Sequence, residues 1–179
     1  MIYVFLADGF EELEAIAPID LLRRAQLPVC VVGVTGQTVR GSHGMIFGTD
    51  SQGQGLTFED VEAVVLPGGL PGATNLDESP LVARCLAAAK EKGAFVRAIC
   101  AAPLVLGHKG FLQGKRATCF PGFEGELLGA QYTGAPVERD GQVLTARGAG
   151  VAVDFALALV EALKDSKTAK TLRESIQCV

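Results

Sequence analysis

The sequence predicts an open α/β sandwich, a mostly parallel sheet with helices on both faces. Composition and pattern both point there. Hydrophobic residues make up 49% of the chain but aromatics only 6%, with no Trp and 22 Gly, the makeup of a compact protein packed from small side chains. Short unbroken apolar runs alternate with amphipathic stretches along the whole chain. Strands that are apolar throughout belong to parallel sheets covered on both sides.

The first run, IYVFLA (Ile2–Ala7), is bounded by Asp8-Gly9 and reads as a buried strand. The following EELEAIAPIDLLRRA is a helix with acids in its first turn and Arg23-Arg24 in its last, matching the helix dipole at both ends. Leu13, Ile16, Ala17 and Leu21 share one face, and Pro18 should kink the helix. VCVVGVT (Val29–Thr35) is a second strand, and TVRGSHGMIFGTD a hairpin turning at Gly41 to Gly44. AVVLPGG (Ala63–Gly69) is a third core strand ending in a glycine loop. SPLVARCLAAAKEKG has a serine N-cap, proline at the first helical position and a glycine stop. AFVRAI is a strand that runs through Cys100 into another helix, and RATCF reads as a strand. VERDGQVLTARG is a hairpin turning at Asp140-Gly141, GVAVDFALALVEALK an amphipathic helix, and a polar helix closes the chain.

At 179 residues the chain suits one domain, residues 1–179, with no linker, repeat or low-complexity segment. Sixteen basic and 20 acidic residues give a net charge of −4. With no basic run or basic–aromatic interleaving, no nucleic-acid partner is expected. MIYVFLADGFEE lacks a positive start and meets acids too early for a signal peptide or a bilayer span, so a cytoplasmic protein without membrane attachment is expected. The five cysteines (Cys30, Cys85, Cys100, Cys119, Cys178) are odd in number and widely spaced, without C-x-x-C or a His cluster. That pattern argues against a disulfide framework and against a metal site. Cys30, Cys85 and Cys119 read as packing residues and Cys178 as exposed.

In open α/β sheets the ligand crevice lies at the carboxyl ends of the strands, so ADGFEELE, LPGGLPGATN and AICAAP should converge. Cys100 is flanked by Ala98, Ala101 and Ala102, the small neighbours a sharp strand-to-helix turn needs when it holds up a nucleophile. A thiol at a helix N-terminus faces free amides and the positive end of the dipole, so a lowered pKa is expected. Gly68 and Gly69 bring bare backbone to the same crevice, where amides could meet an oxyanion. The G-G-L-P-G series lacks dinucleotide-site spacing and GAGVAV after Arg147 is a weak match, so no cofactor is expected. Of Glu11, Glu12 and Glu14, acids of a first turn that ordinarily serve the helix dipole, Glu14 sits between Leu13 and Ala15, deeper in the apolar register. Buried there, it would hold a raised pKa and serve as a proton donor and acceptor to the sulfur.

ADGFEELEAIAPIDLLRRAQ, VVLPGG, AICAAP and LTARGAGVAVDFALALVEAL, in this order over nearly the whole chain, resemble the ThiJ/PfpI superfamily, in the branch of the parkinsonism-associated protein deglycase and bacterial YajL. The resemblance implies a flavodoxin-like three-layer sandwich with a nucleophile elbow, a homodimer, and Cys100 paired with a protonated Glu14. It places the backbone of Gly69 and Ala101 beside the sulfur and Arg24 near the pocket mouth and dimer interface. Phe120, in ATCFPGF, stands where some members carry a histidine, so a Cys-His-acid peptidase triad is incomplete. His43 falls where this branch can carry a pocket-mouth arginine, a substrate-contact position, although a hairpin turn is the plainer role. His108, eight residues beyond Cys100, is about 12 Å along the helix and out of reach.

Two functions are expected from this set. The first is a cofactor-free enzyme on small aldehydes or dicarbonyls such as glyoxal and methylglyoxal, or on their early protein adducts, with Cys100 as nucleophile, Glu14 as acid/base, and Gly68, Phe120, Arg24 and His43 around the substrate. The second is a redox-sensing stress protein or chaperone that uses oxidation of the same thiol.

Overall fold

The computed structural model describes residues 1–178. Its centre is a six-stranded sheet of β2 (Val29–Gly33), β1 (Ile2–Leu6), β5 (Ala63–Leu66), β6 (Phe95–Ile99), β10 (Val143–Ala146) and β9 (Val137–Asp140), in that order. All neighbours are parallel except β9, which returns antiparallel on β10 through the turn at Gly141. Helices α1 (Glu12–Arg24), α5 (Ala152–Leu163) and α6 (Ser166–Ser175) cover one face; α2 (Gly72–Glu78), α3 (Pro80–Lys92) and α4 (Pro103–His108) cover the other. Alternation of side chains along a strand explains the two cores. Ile2, Val4 and Leu6 pack under α1 and α5, while Tyr3 and Phe5 pack under α2 and α3.

The strands of the central sheet, the long helices and both hairpins lie where the sequence places them. The β3 (Thr38–Arg40) and β4 (Ile46–Gly48) hairpin turns over Gly41–Gly44, with Gly44 at φ +87°. Helix α3 has Ser79 as its N-cap, accepting from the Val82 amide, and ends on left-handed Gly93. Helix α1 continues through Pro18 from Glu12 to Arg24. Its cost is a missing amide opposite the Glu14 carbonyl, one turn back.

Other elements differ from expectation. RATCF contributes only β7 (Arg116–Ala117), which pairs with β8 (Gln131–Tyr132) and leaves Cys119 and Phe120 outside any strand. Helix α2 comes from a glycine-rich stretch that reads as loop; close backbone packing of Gly72 against Phe10 and Gly9 fixes it. Among the described residues no helix is long and apolar enough to cross a membrane.

Candidate active site

The loop after β1 and the loop after β5 interlock backbone to backbone. The Glu11 amide donates to the Gly68 carbonyl at 2.9 Å, and a Cβ at Gly69, which holds φ +85°, would lie 2.4 Å from the Glu11 nitrogen. The loop after β6 closes on them. A Cβ at Gly68 would sit 2.7 Å from both the Cys100 Cβ and Glu14 Oε2, so only glycine fits between them.

Cys100 occupies left-handed backbone at φ +64°, a conformation costly for a residue with a side chain and common at functional sites. Its amide donates to the Ala146 carbonyl at 2.8 Å, and its carbonyl accepts from the Phe120 amide at 2.7 Å. These bonds hold the elbow between the end of β10 and the 118–123 segment. The sulfur is half-buried.

Glu14 projects from the first turn of α1 and is fully buried, with 0% exposure. Its Oε2 accepts from the Gly68 amide at 2.9 Å, and Cys100 is its hydrogen-bonding neighbour on the other side. Oε1 is buried with no partner of regular geometry besides what the thiol can offer. Burial pushes the Glu14 carboxyl up to about 7, helped by the Glu11 charge and opposed by the hydrogen bonds from Cys100 and Gly68.

The low thiol pKa expected from the helix N-terminus is not what the site creates. Burial first, then the charge and acceptor oxygen of Glu14, push the Cys100 thiol up to about 12, against amide donation from Gly69 and Ala101. Helix α4 spans only six residues and starts three positions later, so its dipole is too small to prevail. That thiol value belongs to a sulfur facing ionised Glu14. Once Glu14 is protonated the repulsion vanishes and its hydroxyl can donate to sulfur, so the two groups titrate as a pair.

Gly68, Gly69 and Ala101 therefore meet at the sulfur, and Phe120 joins them through its backbone, its ring 47% exposed. Arg24 does not. It stands ten residues along α1 from Glu14, about 15 Å at the helical rise, exposed and paired with Asp20 at 2.8 Å. His43 lies in the hairpin turn, exposed, one contact removed from the site. Its Nδ1 is 2.9 Å from Glu12 Oε2 and 3.3 Å from Glu11 Oε2, and its amide donates to Glu12 Oε1 at 2.9 Å. Buried Glu12 was not legible as a separate feature. Although burial opposes it, hydrogen bonds from His43 and Met45 hold its carboxyl down at about 2. Among the described residues Glu11, Glu12 and His43 alone bring ligand atoms close enough to share a cation, and their mutual hydrogen bonds already use those atoms.

His108 is far along α4, bridging Asp77 at 2.7 Å and Glu126 at 2.9 Å rather than standing free at the surface. Cys85 and Cys119 are buried and Cys30 half-buried, as packing residues should be. Cys178 is half-buried rather than exposed, with an Arg173 guanidinium NH on its sulfur at 3.4 Å.

The fold and this corner together define an α/β sandwich with a cysteine elbow faced by a buried carboxyl. The DJ-1/PfpI family model matches residues 1–162. The chain belongs to that family. It is 36% identical over 180 residues to the Parkinson disease protein 7 homolog of Danio rerio, covering 95% of this chain and 93% of that one. It is 30% identical over 164 residues to the glutathione-independent glyoxalase DJR-1.2 of Caenorhabditis elegans, covering 90% and 87%. The solved structure of oxidized Toxoplasma gondii DJ-1 superposes with a TM-score of 0.94 at 32% identity, over 98% of this chain and 97% of that one.

Proposed function

We propose that this protein is a cofactor-independent glyoxalase, acting on small dicarbonyls and, by the same addition chemistry, on their early adducts with protein amines and thiols. The observation that carries the reading is the buried Glu14 carboxyl, raised to about 7, set against the thiol of a left-handed elbow cysteine. With one proton shared between them, the thiolate forms when Glu14 takes that proton. Sulfur adds to the aldehyde carbon, and Glu14 returns the proton to the oxygen, giving a hemithioacetal. Glu14 then removes the proton from that carbon and delivers it to the neighbouring carbonyl carbon, while the hydroxyl proton passes from the first oxygen to the second, so that the first carbon is oxidised and the second reduced. The resulting thioester takes up water and releases a hydroxy acid and the thiol. Methylglyoxal and water become lactate, with no external oxidant or reductant. The Gly69 and Ala101 amides, already donating toward the sulfur, are in place to bind the developing oxyanion. The name of the nematode relative supports the same class.

The test is lactate formed from methylglyoxal, without glutathione or metal, by the wild type, Cys100→Ser and Glu14→Gln. Output from the wild type that is lost in both variants supports the reading; no output from the wild type rejects it.

Oxidation of Cys100 to sulfenic and sulfinic acid is the second reading, favoured by the half-buried sulfur and the Glu14 hydroxyl available to an oxidised sulfur oxygen. Selective oxidation of Cys100 by peroxide with no dicarbonyl consumed would establish it. Assembly as a homodimer is supported by an apolar face on the outside of α1. Leu13 (62% exposed), Ile16, Met45, Ile46 and Val153 are exposed around it. A monomeric mass by light scattering at micromolar concentration would reject the dimer.

A further inference from the structure

A cleft of ≈ 430 Å³ opens beside the elbow, lined by Phe120, Pro121, Arg147 and the backbone of residues 148–151. Its position is set by the sheet. Ala146 is in register with Ile99, and the Cys100 amide donates to the Ala146 carbonyl at 2.8 Å, so Arg147 and Cys100 leave adjacent strands side by side, with backbones about 5 Å apart. Phe120 forms the opposite wall and is tied to Cys100 by its own amide. A Cβ at Gly148 would press on the Phe120 ring at 3.3 Å, so glycine keeps this wall close.

Arg147 is the only charged side chain lining the cleft, in a protein of net charge −4. Its side chain is exposed and makes no hydrogen bond or ion pair among the described residues, whereas Arg23, Arg24 and Arg116 are each paired with a carboxylate. A guanidinium offers a planar fork that matches a carboxylate or phosphate.

We infer that Arg147 and Phe120 form a subsite for the far end of the substrate, selecting 2-oxoaldehydes that carry an oxyanion over neutral ones. This rests on the glyoxalase reading for the chemistry at Cys100 and adds the substrate class. The aldehyde carbon bonds to the sulfur, the carbon chain lies along the Phe120 ring, and the anionic group pairs with Arg147.

The experiment compares kcat/KM for methylglyoxal, 4,5-dioxopentanoate and 3-phosphooxy-2-oxopropanal in the wild type, Arg147→Met and Arg147→Lys. The expected result is that Arg147→Met lowers the ratio of anionic to neutral kcat/KM about tenfold, the size of one charge-assisted hydrogen bond, mainly through KM. Arg147→Lys should restore part of it. Whichever anionic substrate loses more identifies carboxylate or phosphate as the preferred group. An equal loss on all substrates, or none on any, overturns the inference. Alkylation of Cys100 separates this from failure of the glyoxalase reading, since it needs no turnover. Arg147→Met should lower the ratio of iodoacetate to iodoacetamide rates, and an unchanged ratio overturns the subsite even where the enzyme consumes methylglyoxal.

Discussion

Replacing Glu14 by Gln should make the protein more stable at neutral pH while removing its chemistry. The folded environment raises the carboxyl from an ordinary 4.5 to about 7, so the fold binds a proton more tightly than the unfolded chain does. A group raised in this way contributes stability that is fully present below pH 4.5 and is lost as pH climbs through 7. At 1.36 kcal/mol per pH unit, the loss across that window is about 3 kcal/mol. Gln keeps the shape, and its carbonyl can still accept from the Gly68 amide, but it never carries the charge. Urea melts at pH 4.5 and pH 8 measure the difference: Glu14→Gln should gain on the wild type by about 3 kcal/mol between the two. The same variant removes the group that takes the thiol proton in the proposed mechanism, so lactate output should disappear. A stability gain that is the same at both pH values, or lactate output retained by the variant, would refute the account of a strained, proton-sharing carboxyl.

Gly68→Ala should cost about 1–3 kcal/mol by urea denaturation and lower lactate output about 100-fold, because its Cβ would lie 2.7 Å from the Cys100 Cβ and 2.8 Å from the Ile99 carbonyl. Arg97→Met should stabilise the protein by about 1 kcal/mol at pH 7, since the buried guanidinium leaves Nε and Nη2 without partners. Burial, with Arg139 adding to it, lowers Arg97 to about 9, so its penalty is present below that pH and relieved above it. Melts at pH 7 and 9.5 should show the advantage of Met shrinking. His108, raised by its hydrogen bonds to Asp77 and Glu126, contributes stability below its unfolded value that is lost as pH rises through its folded one. His108→Asn should therefore cost about 1 kcal/mol at pH 6 and less at pH 9 in the same melts.

The parallel strands were legible because burial on both faces demands unbroken apolar runs, and this sequence supplies them at β1, β5 and β6. The elbow was legible from Ala98, Ala101 and Ala102, and Glu14 from its place between apolar neighbours. What escaped depends on contacts distant in sequence. Helix α2 forms from Gly-Ala-Thr-Asn, a poor helix former, because Gly72 is pinned against Phe10. Glu12 meets His43 across 31 residues, with no local pattern to announce the pair. Arg24 shows the opposite error, since helical rise alone separates it from Glu14. Arg97 looked like any residue of AFVRAI, although a charge in the middle of an apolar strand was the available signal of a buried, under-satisfied group.

The thiol pKa is the most instructive difference, because Cys100 is raised like two packing cysteines and differs from them in the neighbour that raises it. Burial raises Cys85 to about 12 and Cys119 to about 11, as it raises Cys100. At Cys85 and Cys119 the carboxylates that act on the sulfur, Asp60 and Glu124, do so through space, without a hydrogen bond to it. At Cys100 part of the elevation comes from a carboxyl that itself titrates near 7, so the same neighbour that suppresses the thiolate can take its proton and stabilise it. The left-handed backbone, the buried carboxyl and the glycine wedge are each costly to the fold. In the proposed mechanism the nucleophile is made by a proton moving between two side chains, and that transfer needs sulfur, carboxyl and Gly68 in contact.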